Sequence, residues 1–329
     1  MTCRRRFAQM LLAAAAIAFA AVSAGPANAQ DQVNVRFSWK LKGEYGPLFL
    51  AQEEGLFKKR NLQVRFGEGA GAPAALAALV QGQEDAVVLP GVFALSAVQK
   101  GIPIKLIALY HPKTPVVLIS WPEKPANKPQ DLVGMTVGHS VGETGTTYLD
   151  AFLRFNGVDP SKVKRVTMDA QSRVPAFIHH KLDVVSVYQT NDLPIIEEKQ
   201  QTKFVLMDMV KYGLSIPGLA IVTSDANIAK KPDVIRRFLA ASAQGVLDAK
   251  KDVKAATAAL MKNWPNAPDE HAVSEQVKAT VEAIPVPEGH TVGWIEQKRI
   301  ADTLKLLQST GEIGAPKPVE SYFTNSFLQ

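Results

Sequence analysis

Cysteine is nearly missing: the 329 residues contain one, Cys3, within a stretch that reads as a removable leader. Once that leader is gone the chain has no thiol. A disulfide, a cysteine nucleophile and a zinc–thiolate site are then excluded. Long apolar runs are missing as well. Met10 to Val22 is about thirteen residues, short of the roughly 20 that cross a bilayer, and no second stretch reaches spanning length. There is no repeat at the roughly 20–50-residue period of solenoids and propellers. No G-x-S-x-G element occurs, and no nucleic-acid-binding motif. A strong charge of one sign is lacking too, since 37 Lys+Arg face 31 Asp+Glu, for a net +6. With 47% hydrophobic and 21% charged residues, the composition is that of a folded globular protein. It excludes a disordered tail, a collagen-like chain and a polytopic membrane protein.

The N-terminus has an address. Arg4-Arg5-Arg6 precedes the apolar run, and Ser23 to Pro26 then leads into Ala27-Asn28-Ala29. A charged region, a short apolar region and an A-x-A site make a secretory signal peptide over 1–29, cleaved after Ala29. Arg4-Arg5-Arg6-Phe7 also fits the core of a twin-arginine signal, although Cys3, Ala8 and Gln9 depart from its flanks. The route is therefore Sec, with Tat as the alternative. Cleavage lowers the net charge to +3. With no Cys at the cleavage point, a soluble periplasmic monomer is expected.

Beyond the leader, strand and helix signals alternate. Val33, Val35 and Phe37 alternate with polar residues, as do Leu62, Val64 and Phe66. A period of two predicts strands there. Helices are predicted over 46–54, 72–81 and 92–100, each stopped by a glycine (Gly55, Gly82, Gly101). Short strands follow at 85–89 and 104–110. Pro112, Pro115, Pro122, Pro125 and Pro129 then punctuate the chain, with extended Val116 to Ser120 among them. After them the pattern restarts, with strands over 135–139, 163–168, 183–187 and 204–207 and helices between. Gly213 to Val222 reads as a return crossing, and helices occupy the remainder from Pro232.

Such alternation predicts an α/β protein built from right-handed crossovers and mostly parallel sheets. Two blocks with a return predict two lobes joined by two crossover strands. Residues 30–114 plus 218–329 would form a discontinuous first lobe, and 115–217 the second. Open parallel sheets bind ligands off the carboxyl ends of their strands, so facing lobes would hold a solute in a hinged cleft.

Several segments, taken in order, resemble the NMT1/THI5-like family of periplasmic solute-binding proteins that serve ABC importers. They are Phe37-Ser38-Trp39 followed by Gly46 to Phe57, Leu62-Gln63-Val64 with the Gly-rich loop after it, Gly82 to Ala86, and Gln130 to Gly138. The resemblance covers nearly the whole chain after the leader. It implies a two-lobed periplasmic-binding-protein fold, a small-molecule solute and an ABC permease as partners, and no cofactor. Enzymes of the same fold use a cysteine nucleophile or a Cys-rich, iron-linked segment, which the mature chain does not carry. Pyrimidine binders of the family typically have Asp-Trp-x-Pro-Asn-x-x-His where this chain has Ser38 to Tyr45. The Pro-Asn and His positions are not matched.

Candidate site residues lie at the carboxyl ends of the strands. Trp39 could stack on a planar ligand, with Tyr45 adding an edge or hydroxyl contact; the alternative is core packing. Gly69, Ala70 and Gly71 precede a helix, where bare backbone and free N–H groups favour an anion or close ligand approach. Ser140, Gly142, Glu143 and Thr144 form the equivalent loop of the second lobe. There Glu143 would repel an anion and suit an amine or ring N–H, and Thr144 is an alternative helix cap. Pro90-Gly91 follows one buried strand, and Gln189 and Asn191 follow another. Adjacent His179 and His180 point to different helix faces and cannot easily share a metal ion. Lys58-Lys59-Arg60 and Lys230-Lys231 read as solvated faces, not nucleic-acid sites.

The leading expectation is a binding protein, not an enzyme, for a planar nitrogenous or aromatic solute. An alkyl sulfonate or aromatic carboxylate is the alternative ligand. A secreted hydrolase or lyase using Ser140 with His139 is the alternative activity, and a sensor or docking domain of the same fold is a third reading.

Overall fold

Residues 29–328 are described by a computed structural model. The expected leader lies outside them except for Ala29. Two five-stranded sheets organise the chain. The first has the order β2-β1-β3-β10-β4, from β1 (Asp31–Phe37), β2 (Leu62–Gly67), β3 (Ala86–Pro90), β4 (Ile104–Leu109) and β10 (Leu219–Ser224). The second has the order β7-β6-β8-β5-β9, from β5 (Val116–Ser120), β6 (Thr136–His139), β7 (Lys164–Thr167), β8 (Val184–Tyr188) and β9 (Val205–Asp208).

The period-two pattern of the first strand is realised directly: Val33, Val35 and Phe37 are buried, and Gln32, Asn34 and Arg36 are not. β1 pairs with β3 in parallel, and β6 pairs in parallel with β7 and β8. Each sheet is mixed because of one strand. β5 runs antiparallel to β8 and β9, and β10 runs antiparallel to β3 and β4. These are the strands that follow the two crossings. A chain that enters a sheet from its neighbour has no helix to carry it back, so it lies antiparallel to its partners.

The two crossings run side by side. Gly218 N–H donates to His111 O (2.9 Å), and His111 and Tyr110 N–H both donate to Leu219 O (3.0 and 2.8 Å). A Cβ at Gly218 would lie 2.9 Å from His111 Cβ, so only glycine lets the strands pass this closely.

Helices cover both sheets. In the first half they are α1 (Gly46–Glu53), α2 (Ala72–Val80) and α3 (Gly91–Gln99). In the second they are α4 (Thr144–Thr147), α5 (Leu149–Phe155), α6 (Ala170–Ile178) and α7 (Leu193–Gln200). The C-terminal part supplies α8 (Asp225–Lys230), α9 (Pro232–Lys251), α10 (Val253–Met261), α11 (Glu270–Ala283) and α12 (Gln297–Ser309). The loop expected from Ser140 to Thr144 runs straight into the single turn α4. The short α8 lies outside every predicted helix; Ser224 Oγ caps it by accepting from Asn227 N–H. One apolar core is continuous through both sheets, with Phe93, Leu95 and Leu106 on one side and Tyr148, Phe152 and Val184 on the other. This shared core makes the chain from Gln32 onward a single compact unit.

Candidate functional site

The strand ends of the two sheets face a common cavity with about 920 Å³ of atom-free space, part of it open to solvent. The segment after β1 supplies Ser38, Trp39, Lys42 and Glu44. The end of β3 supplies Pro90, and the loop after β6 supplies Gly142, Glu143 and Thr144. The first turn of α6 supplies Ala170, Gln171, Arg173 and Val174, and β8 with its end supplies Ser186, Val187, Tyr188 and Asp192. Spacing explains the α6 contribution: positions 170, 173 and 174 share one helical face, and Asp169 starts that face by accepting from Gln171 N–H (2.8 Å).

Trp39, Pro90, Gly142, Glu143 and Thr144 therefore come together around this cavity. Tyr45 lies elsewhere: its ring is buried in the core, stacked on Phe37 with centroids 3.9 Å apart. Burial and the neighbouring Glu44 push its hydroxyl pKa well up. Gly69, Ala70, Gly71, Gly91, Ser140, Gln189 and Asn191 are also outside the cavity lining. Gln189 is exposed, whereas Asn191 is fully buried.

The two glycine-rich loops meet each other. A Cβ on Gly142 would lie 2.9 Å from Pro73 Cδ and 3.5 Å from Gly71 Cα. Gly142 and Gly71 also sit at φ +77° and +113°, which other residues rarely adopt. Deeper in, Lys42 Nζ lies 3.3 Å from Asp192 Oδ1 and 5.3 Å from the centroid of the Tyr188 ring. Asn191 Nδ2 donates to Glu44 Oε2 (3.4 Å), and Gln276 Nε2 donates to Asn191 O (2.7 Å). Burial raises the Glu44 carboxyl above the ordinary range while Lys42 pulls it down. Burial and the Glu44 charge raise the Tyr188 hydroxyl, which sits 3.0 Å from Thr144 Oγ1.

The loop glycines expected to offer free N–H groups have them occupied. Gly71 N–H donates to Ser38 O (2.7 Å) and Gly69 N–H to Trp39 O (3.2 Å). Gly91 N–H donates to Gly218 O (2.7 Å). At α4, Glu143 is itself the cap. Its Oε1 accepts from Gly145 N–H (2.9 Å), and its Oε2 accepts from Thr146 N–H (2.9 Å), Thr146 Oγ1 (2.7 Å) and Ser186 Oγ (2.7 Å). The carboxylate thus serves the turn that carries it, not an open amine site. Ser140 Oγ donates to Met168 O (2.8 Å), so its proton is held by a backbone carbonyl and not by His139.

Sequence reading missed Lys42, Glu44, Arg173, Ser186 and Tyr188. Lys42 and Glu44 sit three and five residues after Trp39, so proximity was an available signal. Tyr188 directly precedes the candidate Gln189 and had the same signal, whereas Arg173 and Ser186 carry none: an arginine in a helix and a serine in an apolar strand look ordinary. Among the described residues, no group of three His, Cys, Asp or Glu side chains could hold a metal ion.

A family model described as NMT1/THI5 like matches residues 42–256. The riboflavin-binding protein RibY of Chloroflexus aurantiacus is 25% identical over 323 residues, covering 94% of this chain and 90% of that protein. A 4-amino-5-hydroxymethyl-2-methylpyrimidine phosphate synthase of Legionella pneumophila is 26% identical over 137 residues, 42% of this chain and 43% of the synthase. Among solved structures, the alkanesulfonate-binding protein SsuA from Xanthomonas axonopodis pv. citri, bound to MOPS, matches with a TM-score of 0.69 at 15% identity. That match covers 89% of this chain and 98% of SsuA. The likeness establishes the fold, a periplasmic-binding-protein arrangement of two mixed sheets flanked by helices.

Proposed function

The chain belongs to the NMT1/THI5-like family, and from that premise we propose that it is the periplasmic solute-binding component of an ABC importer. Its solute is a planar nitrogenous or aromatic molecule held in the cavity between the sheets, and its partner is a membrane permease. The lobes are 30–114 plus 218–329 and 115–217, hinged at the paired crossings, and they close around the solute. The protein acts as a monomer, takes no cofactor and breaks no bond in its cargo.

One observation carries this reading. Residues from both sheets, with Trp39 on one and Tyr188 on the other, line a single cavity roofed by two touching loops. Trp39 stacks on no other aromatic ring among the described residues, so a flat solute could take that face. The lining also includes apolar Pro90, Val174, Val187 and Leu219, which suits desolvation of a ring. An alkyl sulfonate or aromatic carboxylate has less support, because the helix-start donors at Gly71, Gly91 and Gly145 are already satisfied. A hydrolase reading loses its nucleophile to the Ser140–Met168 bond. The named relatives bind riboflavin in one case and make a pyrimidine phosphate in the other, both planar nitrogenous rings.

A thermal-shift screen of the leaderless protein against flavins, pyrimidines, aromatic acids and sulfonates tests the reading. A true solute at 100 times its Kd stabilises by about 2.7 kcal/mol, and Trp39→Ala abolishes most of that shift. Chemical conversion of the solute, or a shift that Trp39→Ala leaves intact, would refute it.

A further inference from the structure

Arg173 is the least explained charge in the cavity. It lines the wall, yet its side chain is only 9% exposed. Nη1 donates to Ser186 O (2.9 Å) and Ser186 Oγ (3.2 Å). Nε is buried with no acceptor among the described residues, and Nη2 forms no hydrogen bond among them. A buried donor left unpaired is costly, and a guanidinium edge with two unused N–H directions is a fork suited to two adjacent acceptors. Gly138, on the neighbouring strand, would bring a Cβ to 3.7 Å from Arg173 Cγ and 2.5 Å from Leu182 Cδ1. Its missing side chain therefore leaves room for Leu182, and the arginine stem passes at ordinary contact distance.

Both cations of the lining are already paired, and its third carboxyl, Glu44, is pushed up by burial toward its neutral form. Glu143 Oε2 lies 3.8 Å from Arg173 Nη1, and Asp192 lies 3.3 Å from Lys42. A solute that brought its own negative charge would leave a buried carboxylate without its cation. A neutral acceptor edge makes the hydrogen bonds without disturbing that balance.

We infer that Arg173 is the specificity-determining residue of the cavity. It reads two neighbouring acceptors, a carbonyl oxygen beside a ring nitrogen or second carbonyl, on the edge of an uncharged planar heterocycle. The inference rests on the solute-binding reading above and names the chemistry that this reading leaves open.

Three flat probes of similar size test it by calorimetry on the leaderless protein: lumichrome, which carries two ring carbonyls; phenazine, which has none; and 2-naphthalenesulfonate, which is anionic. The wild type binds lumichrome at least tenfold more tightly than the other two. Arg173→Lys keeps the charge beside Glu143 but loses the fork. It weakens lumichrome on the order of 10–100-fold, the range for charge-assisted hydrogen bonds, and leaves phenazine unchanged. Purely structural damage would weaken both rings together. Should Arg173→Lys not fold, Arg173→Gln combined with Glu143→Gln removes both charges at once and is read the same way. Undiminished preference for lumichrome in either variant overturns the inference. So does a wild type that favours the sulfonate or phenazine, although solute binding in the cavity then still stands. A wild type that binds none of the three, or any other member of the wider screen, overturns the inference and the solute-binding reading together.

Discussion

Replacing Glu143 with alanine separates a structural carboxylate from a ligand-binding one. Its two oxygens accept four hydrogen bonds, from Gly145 N–H, Thr146 N–H, Thr146 Oγ1 and Ser186 Oγ, all between 2.7 and 2.9 Å. It is also the carboxylate nearest Arg173, at 3.8 Å. Removing a helix N-cap costs about 1 kcal/mol. Leaving a buried charge without its partner costs about 3–5 kcal/mol, and Arg173 falls toward the lower end because Ser186 still holds Nη1. The expected loss for Glu143→Ala is therefore about 3–4 kcal/mol in the free protein. At roughly 2–4 °C per kcal/mol for a chain above 150 residues, Tm should fall by about 6–16 °C. Glu143→Gln keeps one acceptor oxygen and should cost roughly half as much. Urea unfolding with no solute present measures both variants. A Glu143→Ala protein within about 1 kcal/mol of wild type, yet deficient in solute binding, would show that the carboxylate serves the solute and that its place in the α4 turn carries little energy.

Two further predictions concern the crossings and the loop after β1. His111 is buried at the first crossing, with Nδ1 unpartnered and Nε2 3.3 Å from Thr280 O, and burial lowers its pKa to about 4 from 6.5. A folded-state pKa below the unfolded one means that the neutral ring stabilises the fold fully above about pH 6.5. That contribution, up to about 3 kcal/mol, is lost as pH falls toward 4. Urea midpoints at pH 7 and 5 should differ less in His111→Asn than in wild type, and identical slopes would refute the assignment. Gly43 meets Gln276 so closely that an added Cβ would lie 2.2 Å from Gln276 Cβ and 2.7 Å from the Val277 nitrogen. Gly43→Ala should lower stability by about 1–3 kcal/mol and weaken solute binding, because the loop it displaces carries Lys42 and Glu44; an unchanged Tm and Kd would show that the loop is not held there.

The linear chain determined most of the elements, because their signals are local. Period-two alternation in Val33–Phe37 marks a strand wherever that segment packs, and Gly55, Gly82 and Gly101 end helices through backbone freedom alone. Strand–helix alternation, two Pro- and Gly-rich crossings and the order of the Trp39, Gly82–Ala86 and Gln130–Gly138 segments were enough to predict the fold. Trp39 and the loop at Gly142–Thr144 were legible because sites in open sheets lie at strand ends. Tertiary structure alone decided which donors remain unused. Whether Gly71 N–H faces a solute or Ser38 O depends on how the loop folds back, and the Glu143 carboxylate turns onto Ser186, 43 positions away in sequence. The orphan Nε of Arg173 exists only because α6 packs against β8 in this orientation. Hydrogen-bond saturation is a property of three-dimensional neighbours, so no window of sequence could reveal that the loop glycines' N–H groups are taken and the arginine is open.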